Sequence, residues 1–235
     1  VGGGGGSFAL AFARTERLVQ RRLRLASALP GHQHHERAAA RRLQMPRVGL
    51  QLLRAELRTT LENTGQEPIE GRVGLWNIVQ IPAEHRGLIT IPLRPGSAAE
   101  AVRPYFAPLA RGVLAMRRGS AQLRVQGGTR YKVGVSAVAA TGKIGFIGRA
   151  RAARGRLRVS LECPVDPRGV YLDRPPLEVE RGQEGPGDAM QAYSDSGTGA
   201  MAFAEIEAHA PAVTLAPGER QVFDLVLRVE GPTRR

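Results

Sequence analysis

The sequence is poor in the residues that most often announce a function. It has one cysteine, one tryptophan and only two lysines, and aromatic residues make up 5% of its 235 positions. A single Cys163 excludes an intrachain disulfide. It sits in the strand-like run 156–163, where a lone cysteine reads as a small buried hydrophobe rather than a nucleophile. No apolar run approaches the ~20 residues of a membrane span. The opening glycine tract and FALAFA over 8–13 lack a basic lead and a cleavage site, so they do not read as a secretory signal. The expectation is a cytoplasmic protein with no membrane partner. The chain opens on Val1 rather than Met, which reads as a fragment or a processed product. There is no phosphate-cradling GxxxxGK[ST] loop, no dinucleotide fingerprint, no GxSxG elbow and no paired CxxC, so no cofactor or metal is expected.

Positive charge is plentiful, at a net +13, and nearly all of it is arginine. Residues 1–54 hold ten Arg against two Glu, which is +8 of the total and leaves +5 for the rest. A basic arm on a near-neutral body can bind phosphates. Only Phe8 and Phe12 offer base stacking in that arm. Abundant Arg, Ala, Gly and Pro also fit a coding bias with a solvated basic surface, so nucleic acid through 1–54 stands as an alternative rather than the expected partner.

The remaining pattern is that of strands. Residues 1–7 form a flexible glycine-rich segment and 8–26 fit either a strand or a helix. From residue 48 the texture changes. Leu53, Ala55, Leu57, Thr59 and Leu61 alternate with Arg54, Glu56, Arg58, Thr60 and Glu62, the period of a half-buried strand. Further strands are expected at 73–81, 87–93, 122–125, 131–138, 143–147, 157–162, 177–179, 190–193, 201–208 and 222–229, with Gly/Pro/Asn turns between most of them. The Pro/Ala-rich stretch 95–119 reads as a long connection with one helical turn near 97–102. Many short strands without long helices indicate an all-β, antiparallel sandwich. The domain is expected over 49–230, preceded by a basic segment over 8–48 and followed by a tail over 231–235. A chain this long can bury a core without staples.

Three groups of residues can carry chemistry. Glu205, Glu207 and His209 are two apart, so in a strand they share one face, while Ala204, Ile206 and Ala208 take the other. Crowded carboxylates push one pKa upward and suit general acid–base work. A solvated polar face is the plain alternative. His32, His34 and His35 can bind a metal, but no accompanying ligands sit at suitable spacing, and a surface loop is the plainer reading. Trp76 can stack on the apolar face of a sugar ring, although a lone Trp in a sandwich is also a common core residue. Trp76 shares a face with Gly74, Ile78 and Gln80, so Asn77 points the opposite way in a regular strand. Gln191, Tyr193 and Asp195 form another alternating polar set, suited to hydroxyl recognition.

The segments LENTGQEP over 61–68 and GLWNIVQIP over 74–82, then YKVG over 131–134, QAYSD over 191–195, FAEIEAHAP over 203–211 and LAPGE over 215–219, occur in an order that resembles the galactose mutarotase-like superfamily, specifically a poorly characterised branch of it. The resemblance covers roughly 50–230. It implies an antiparallel β-supersandwich with a sugar site on its concave face and, because the family is usually longer, opening strands truncated or altered within 1–48. In aldose mutarotases a Glu near the C-terminus acts as base and a His as acid. The resemblance places that Glu at Glu205 or Glu207. The family's His-bearing segment corresponds to 73–80, which holds Trp76 and Asn77 and no histidine, leaving His85 or His209 as the only substitutes in the domain.

The expected function is therefore carbohydrate binding, with a sugar or polysaccharide as partner and, as the enzyme class, an aldose 1-epimerase-type isomerase with an altered catalytic acid or another carbohydrate-active enzyme. Glu205 and Glu207 are the acid–base candidates. Trp76, Asn77, Gln80, Lys132, Tyr193, Asp195 and His209 are the candidate sugar contacts. A non-catalytic sugar-binding or structural sandwich is the alternative.

Overall fold

The computed structural model describes residues 7–15, 41–44, 53–82, 86–106, 108–125, 128–149, 155–175, 187–195, 197 and 202–231. They form fourteen strands in two antiparallel sheets of seven. In chain order these are β1 (Ser7–Thr15), β2 (Arg41–Gln44), β3 (Leu53–Glu62), β4 (Val73–Pro82), β5 (Gly87–Pro92), β6 (Val102–Pro104), β7 (Leu114–Arg117), β8 (Ser120–Val125), β9 (Tyr131–Ser136), β10 (Lys143–Arg149), β11 (Arg156–Glu162), β12 (Asp188–Ser194), β13 (Phe203–His209) and β14 (Arg220–Glu230). Sheet one runs β2-β1-β4-β13-β12-β9-β6 and sheet two runs β3-β14-β11-β10-β5-β8-β7. The all-β antiparallel sandwich expected from the strand pattern is the observed architecture. Among the described residues no helix is long and apolar enough to cross a membrane.

Each strand forms where the side chains alternate. In β3 the expected inward set is the more buried one, and β14 beside it alternates from Arg220 to Glu230, with Phe223, Leu225, Leu227 and Val229 buried. The core lies between the sheets. Leu75, Val79, Ile81, Val133, Val135 and Ile206 meet Ile89, Ile91, Leu123, Phe146, Val159 and Leu227. Cys163 joins this core as a buried thiol whose pKa burial pushes up to about 12, so it is held protonated and unreactive.

Sheet two leaves its outer face to water. Arg58 pairs there with Asp224 and Arg158 with Glu230, and Glu162 takes both Arg228 and Lys143. Sheet one does not. Strand β12 is buried along almost its whole length on both faces, and β4, β9 and β13 are also largely buried on both. Residues 170–173 attach near the ends of β13 and β12: the Ala212 N–H donates to the Val170 carbonyl, the Asp188 N–H donates to the Asp173 carbonyl, and the Asp173 carboxylate reaches Lys132 on the outer face.

The structure adds detail that the sequence hid. The stretch 95–119 holds a 3-10 turn over Ala99–Ala101, within the expected helical position, but also strands β6 and β7. These are short edge strands of three and four residues, one ending in Pro104, too short for alternation to register. The segment over 8–26 is a strand as far as Thr15, and β1 pairs along β4 from Leu10 opposite Val79 to Thr15 opposite Val73. The histidines at 32, 34, 35 and 85 and the strand expected at 177–179 lie outside the described residues.

Gly142 is required by both its backbone conformation and its surroundings. Gly142 has φ +82°, and a Cβ there would collide with the Cys163 carbonyl oxygen. We expect Gly142→Ala to destabilise the protein by at least about 2 kcal/mol in urea unfolding. Arg58→Ala, which removes an exposed ion pair, should leave the midpoint nearly unchanged. Equal effects of the two substitutions would contradict this account of the fold.

Candidate functional site

The outer face of sheet one carries its polar side chains in ordered rows, because antiparallel register sets cross-strand neighbours side by side. Trp76 on β4 lies opposite His209 on β13. The next row is Ile78, Glu207, Gln191, Gly134 and Arg103, across β4, β13, β12, β9 and β6. The third is Gln80, Glu205, Tyr193 and Lys132. Glu205, Glu207 and His209 therefore do share a face, as their spacing requires. That face is no solvated surface, since Glu207 is 1% exposed and His209 6%.

Glu207 is the centre of the arrangement. Its Oε2 accepts the Trp76 indole N–H at 2.8 Å and the Lys132 ammonium at 3.3 Å. Lys132 also reaches Asp173 at 3.0 Å and sits between the rings of Trp76 and Tyr105, 5.4 and 5.1 Å from their centroids. Trp76 stacks on His209, with centroids 5.7 Å apart and planes at 15°. The His209 Nε2 stands 3.7 Å from the same Oε2, near enough for charge to be felt but beyond a hydrogen bond. Trp76 is half-buried on this outer face and is not a core residue.

Glu205 is the second carboxyl, roughly 7 Å along the strand from Glu207 by strand rise. Gln80 donates to its Oε1 at 3.0 Å. Burial first, and then the charge of Glu207, push its pKa up to about 7, against the opposing pull of Gln80 and Lys132. Tyr193 lies opposite Glu205, and its hydroxyl donates to Asp195 at 3.0 Å. Burial and the Asp195 carboxylate both raise the Tyr193 pKa.

One expected contact is placed elsewhere. Asn77 points between the sheets, 1% exposed, with the Thr59 hydroxyl donating to its Oδ1 at 3.2 Å. The pleat that turns Trp76 outward turns Asn77 inward, so Asn77 is corrected from a sugar contact to a link between the sheets. Trp76, Gln80, Lys132, Tyr193, Glu205, Glu207 and His209 are brought together on the face. Asp195 joins them at the end of β12, through Tyr193 and the Gly197 N–H.

A second cluster was not anticipated. Asp188 is fully buried, where β12 breaks register, and its Oδ1 accepts Arg103 Nη2 at 2.6 Å and Nε at 3.1 Å. The Tyr105 hydroxyl donates to Oδ2 at 2.7 Å, and Gln191 Nε2 donates to the Tyr105 oxygen at 2.9 Å. A Cβ at Gly134 would collide with the Asp188 carboxylate, so the glycine makes its space. Arg103 and Tyr105 fall in the stretch that reads as a connection. The alternation of Gln191 with Tyr193 was the one available sign of this cluster.

Four buried polar atoms on this face have no hydrogen-bond partner among the described residues: Gln191 Oε1, Glu207 Oε1 and His209 Nε2, which lie together, and Ser136 Oγ beside Asp188. Gln191 and Glu207 are cross-strand neighbours, and His209 is two residues further along β13. No group of three His, Cys, Asp or Glu among the described residues is arranged to hold a metal ion.

The raised Glu205 pKa makes stability pH-dependent. Between about 4.5 and 7 the folded state binds the proton that the unfolded chain has released, so this group lowers stability as pH rises and has no further effect above about 7. Glu205→Gln removes that loss. Relative to wild type it should gain about 1–3 kcal/mol on going from pH 4 to pH 8 in urea titrations. A difference that does not change with pH would refute the assignment.

No curated protein and no solved structure matches the chain. The model of the family of unknown function DUF6786 matches residues 34–233, a span that takes in every strand from β2 to β14 and all of the site residues above. The chain belongs to the DUF6786 family.

Proposed function

We propose that the outer face of sheet one binds a sugar and that the protein is a mutarotase-like, aldose 1-epimerase-type isomerase. The observation that carries this reading is the trio of unpartnered atoms, Glu207 Oε1, Gln191 Oε1 and His209 Nε2. A buried polar atom without a partner costs roughly 1–3 kcal/mol. A ligand rich in hydroxyl groups satisfies such a trio, and the half-buried Trp76 offers a ring for the apolar face of a pyranose. The resemblance carried by residues 50–230 supports the same ligand class.

Anomer interconversion needs one base and one acid. Glu207, held by Trp76 and Lys132 through Oε2, keeps Oε1 for the anomeric hydroxyl proton. Glu205, protonated up to a pH of about 7, delivers its proton to the ring oxygen. The bond from C1 to the ring oxygen breaks and an open-chain aldehyde forms. Rotation about C1–C2 and the reverse transfers close the ring on the other face and restore both carboxyl groups. Nothing is oxidised or reduced. Lys132, expected to touch sugar, acts in this reading by holding Glu207.

The test is polarimetry of freshly dissolved α-D-galactose and α-D-glucose, together with NMR shifts on titration. Acceleration over buffer is expected, with a loss of at least ~100-fold in Glu207→Gln. The rate should fall about tenfold per pH unit above ~7, and Glu205→Gln should abolish that limb. Binding without acceleration would point to the non-catalytic reading, which the absence of histidine from 73–80 favours. No outer-face shift with either sugar or with other common aldoses would remove the sugar reading.

A further inference from the structure

The Asp188 cluster lies beyond the acid–base pair, and its proton inventory is fixed. Arg103 is only a donor, and two of its N–H groups fall on Asp188 Oδ1, so Asp188 accepts. The Tyr105 hydroxyl has a single proton, and at 2.7 Å from Oδ2 that proton belongs to Asp188. The Tyr105 oxygen is left as an acceptor. Gln191, 2.9 Å away, must offer it Nε2, because its carbonyl end cannot donate. The amide is thereby prevented from turning over. Among the described residues its Oε1, in a residue of 0% exposure, is left without a partner next to Glu207, whose Oε1 also has none there.

We infer that Gln191 is a specificity-determining residue, locked by Arg103, Asp188 and Tyr105 so that it shows the ligand an acceptor alone. The inference rests on the sugar-binding reading and deepens it. Two neighbouring acceptors, Gln191 Oε1 and Glu207 Oε1, select a ligand with two adjacent hydrogen-bond donors. A vicinal diol or an amino alcohol of a sugar ring fits them. A ring lacking the hydroxyl that faces Gln191 leaves Oε1 buried and unsatisfied, and is rejected.

Two measurements test this separately. The first needs no ligand. In the ¹⁵N spectrum of the free protein, one Gln191 side-chain amide proton should exchange slowly, and Tyr105→Phe, which leaves the fold's apolar contacts in place, should speed that exchange at least tenfold. The same exchange rate in both proteins would overturn the lock. The second uses D-galactose, D-glucose and their 2-, 3- and 4-deoxy forms in NMR titrations of wild type, Gln191→Met and Tyr105→Phe. In wild type one deoxy position should weaken binding by at least tenfold. In Gln191→Met that ratio should collapse to within about twofold, and Tyr105→Phe should reduce it. A ratio unchanged by either substitution would overturn the assignment while leaving sugar binding intact. If neither parent sugar moves an outer-face resonance, the sugar reading falls and this inference falls with it, whatever the amide exchange shows.

Discussion

A carboxylate with no access to water governs this structure. Asp188 is fully buried, and a lone anion in that position would be untenable without counter-charge and hydrogen bonds. The surrounding chain is arranged to supply them. The break in the β12 register turns the side chain to the outer face, and Gly134 leaves the space it fills. Strand β6, only three residues long, is anchored to the sheet edge where its Arg103 meets Asp188. Tyr105 follows at once and closes the remaining oxygen. Lys132 does the same for Asp173 and Glu207. Two cations thus settle three buried carboxylates, and removing either cation strands an anion, a far larger cost than the pair's net contribution.

This concentration of buried charge explains the asymmetry of the two sheets. The ion pairs on sheet two are exposed and long-armed, and such pairs contribute little to stability. They keep that face soluble. On sheet one Asp188, Gln191, Glu207 and His209 are buried, so each interaction there is stronger and each unpaired atom more costly. Glu205 and Glu207 show the consequence. They occupy equivalent positions two residues apart, yet Glu207 receives an indole N–H and an ammonium, whereas Glu205 receives a neutral amide and faces the charge of Glu207. Burial first, and then the charge of Glu207, hold the Glu205 pKa up at about 7.

How much of this was legible depended on the range of the signal. Alternation placed the long strands, because Leu53 to Glu62 and Val222 to Val229 show a two-residue period within one segment. It also put Glu205, Glu207 and His209 on one face and Trp76 and Asn77 on opposite ones. What alternation cannot give is partnership between distant segments. Arg103 and Asp188 are 85 residues apart, and Lys132 and Glu207 are 75 apart. A lysine in a strand reads as a surface residue until a carboxylate from another strand meets it. Burial of Gln191, Glu207 and His209 on the outer face was equally hidden, because alternation tells which side chains share a face and not what covers that face.

The same distinction bears on the histidine missing from 73–80. Along the chain, the segment 73–80 holds Trp76 and Asn77 and no histidine where the resemblance implies one, and the absence counts against chemistry. Across the sheet, the position paired with Trp76 is His209, stacked on the indole at 15° with its Nε2 turned toward Glu207. An imidazole moved by one strand spacing is displaced by only ~5 Å, less than the width of a pyranose with its hydroxyls. Loss of a motif residue from its segment therefore does not amount to loss of its side chain from the site. In an antiparallel sheet each position has a partner on the next strand that reaches nearly the same volume, and His209 holds that position here.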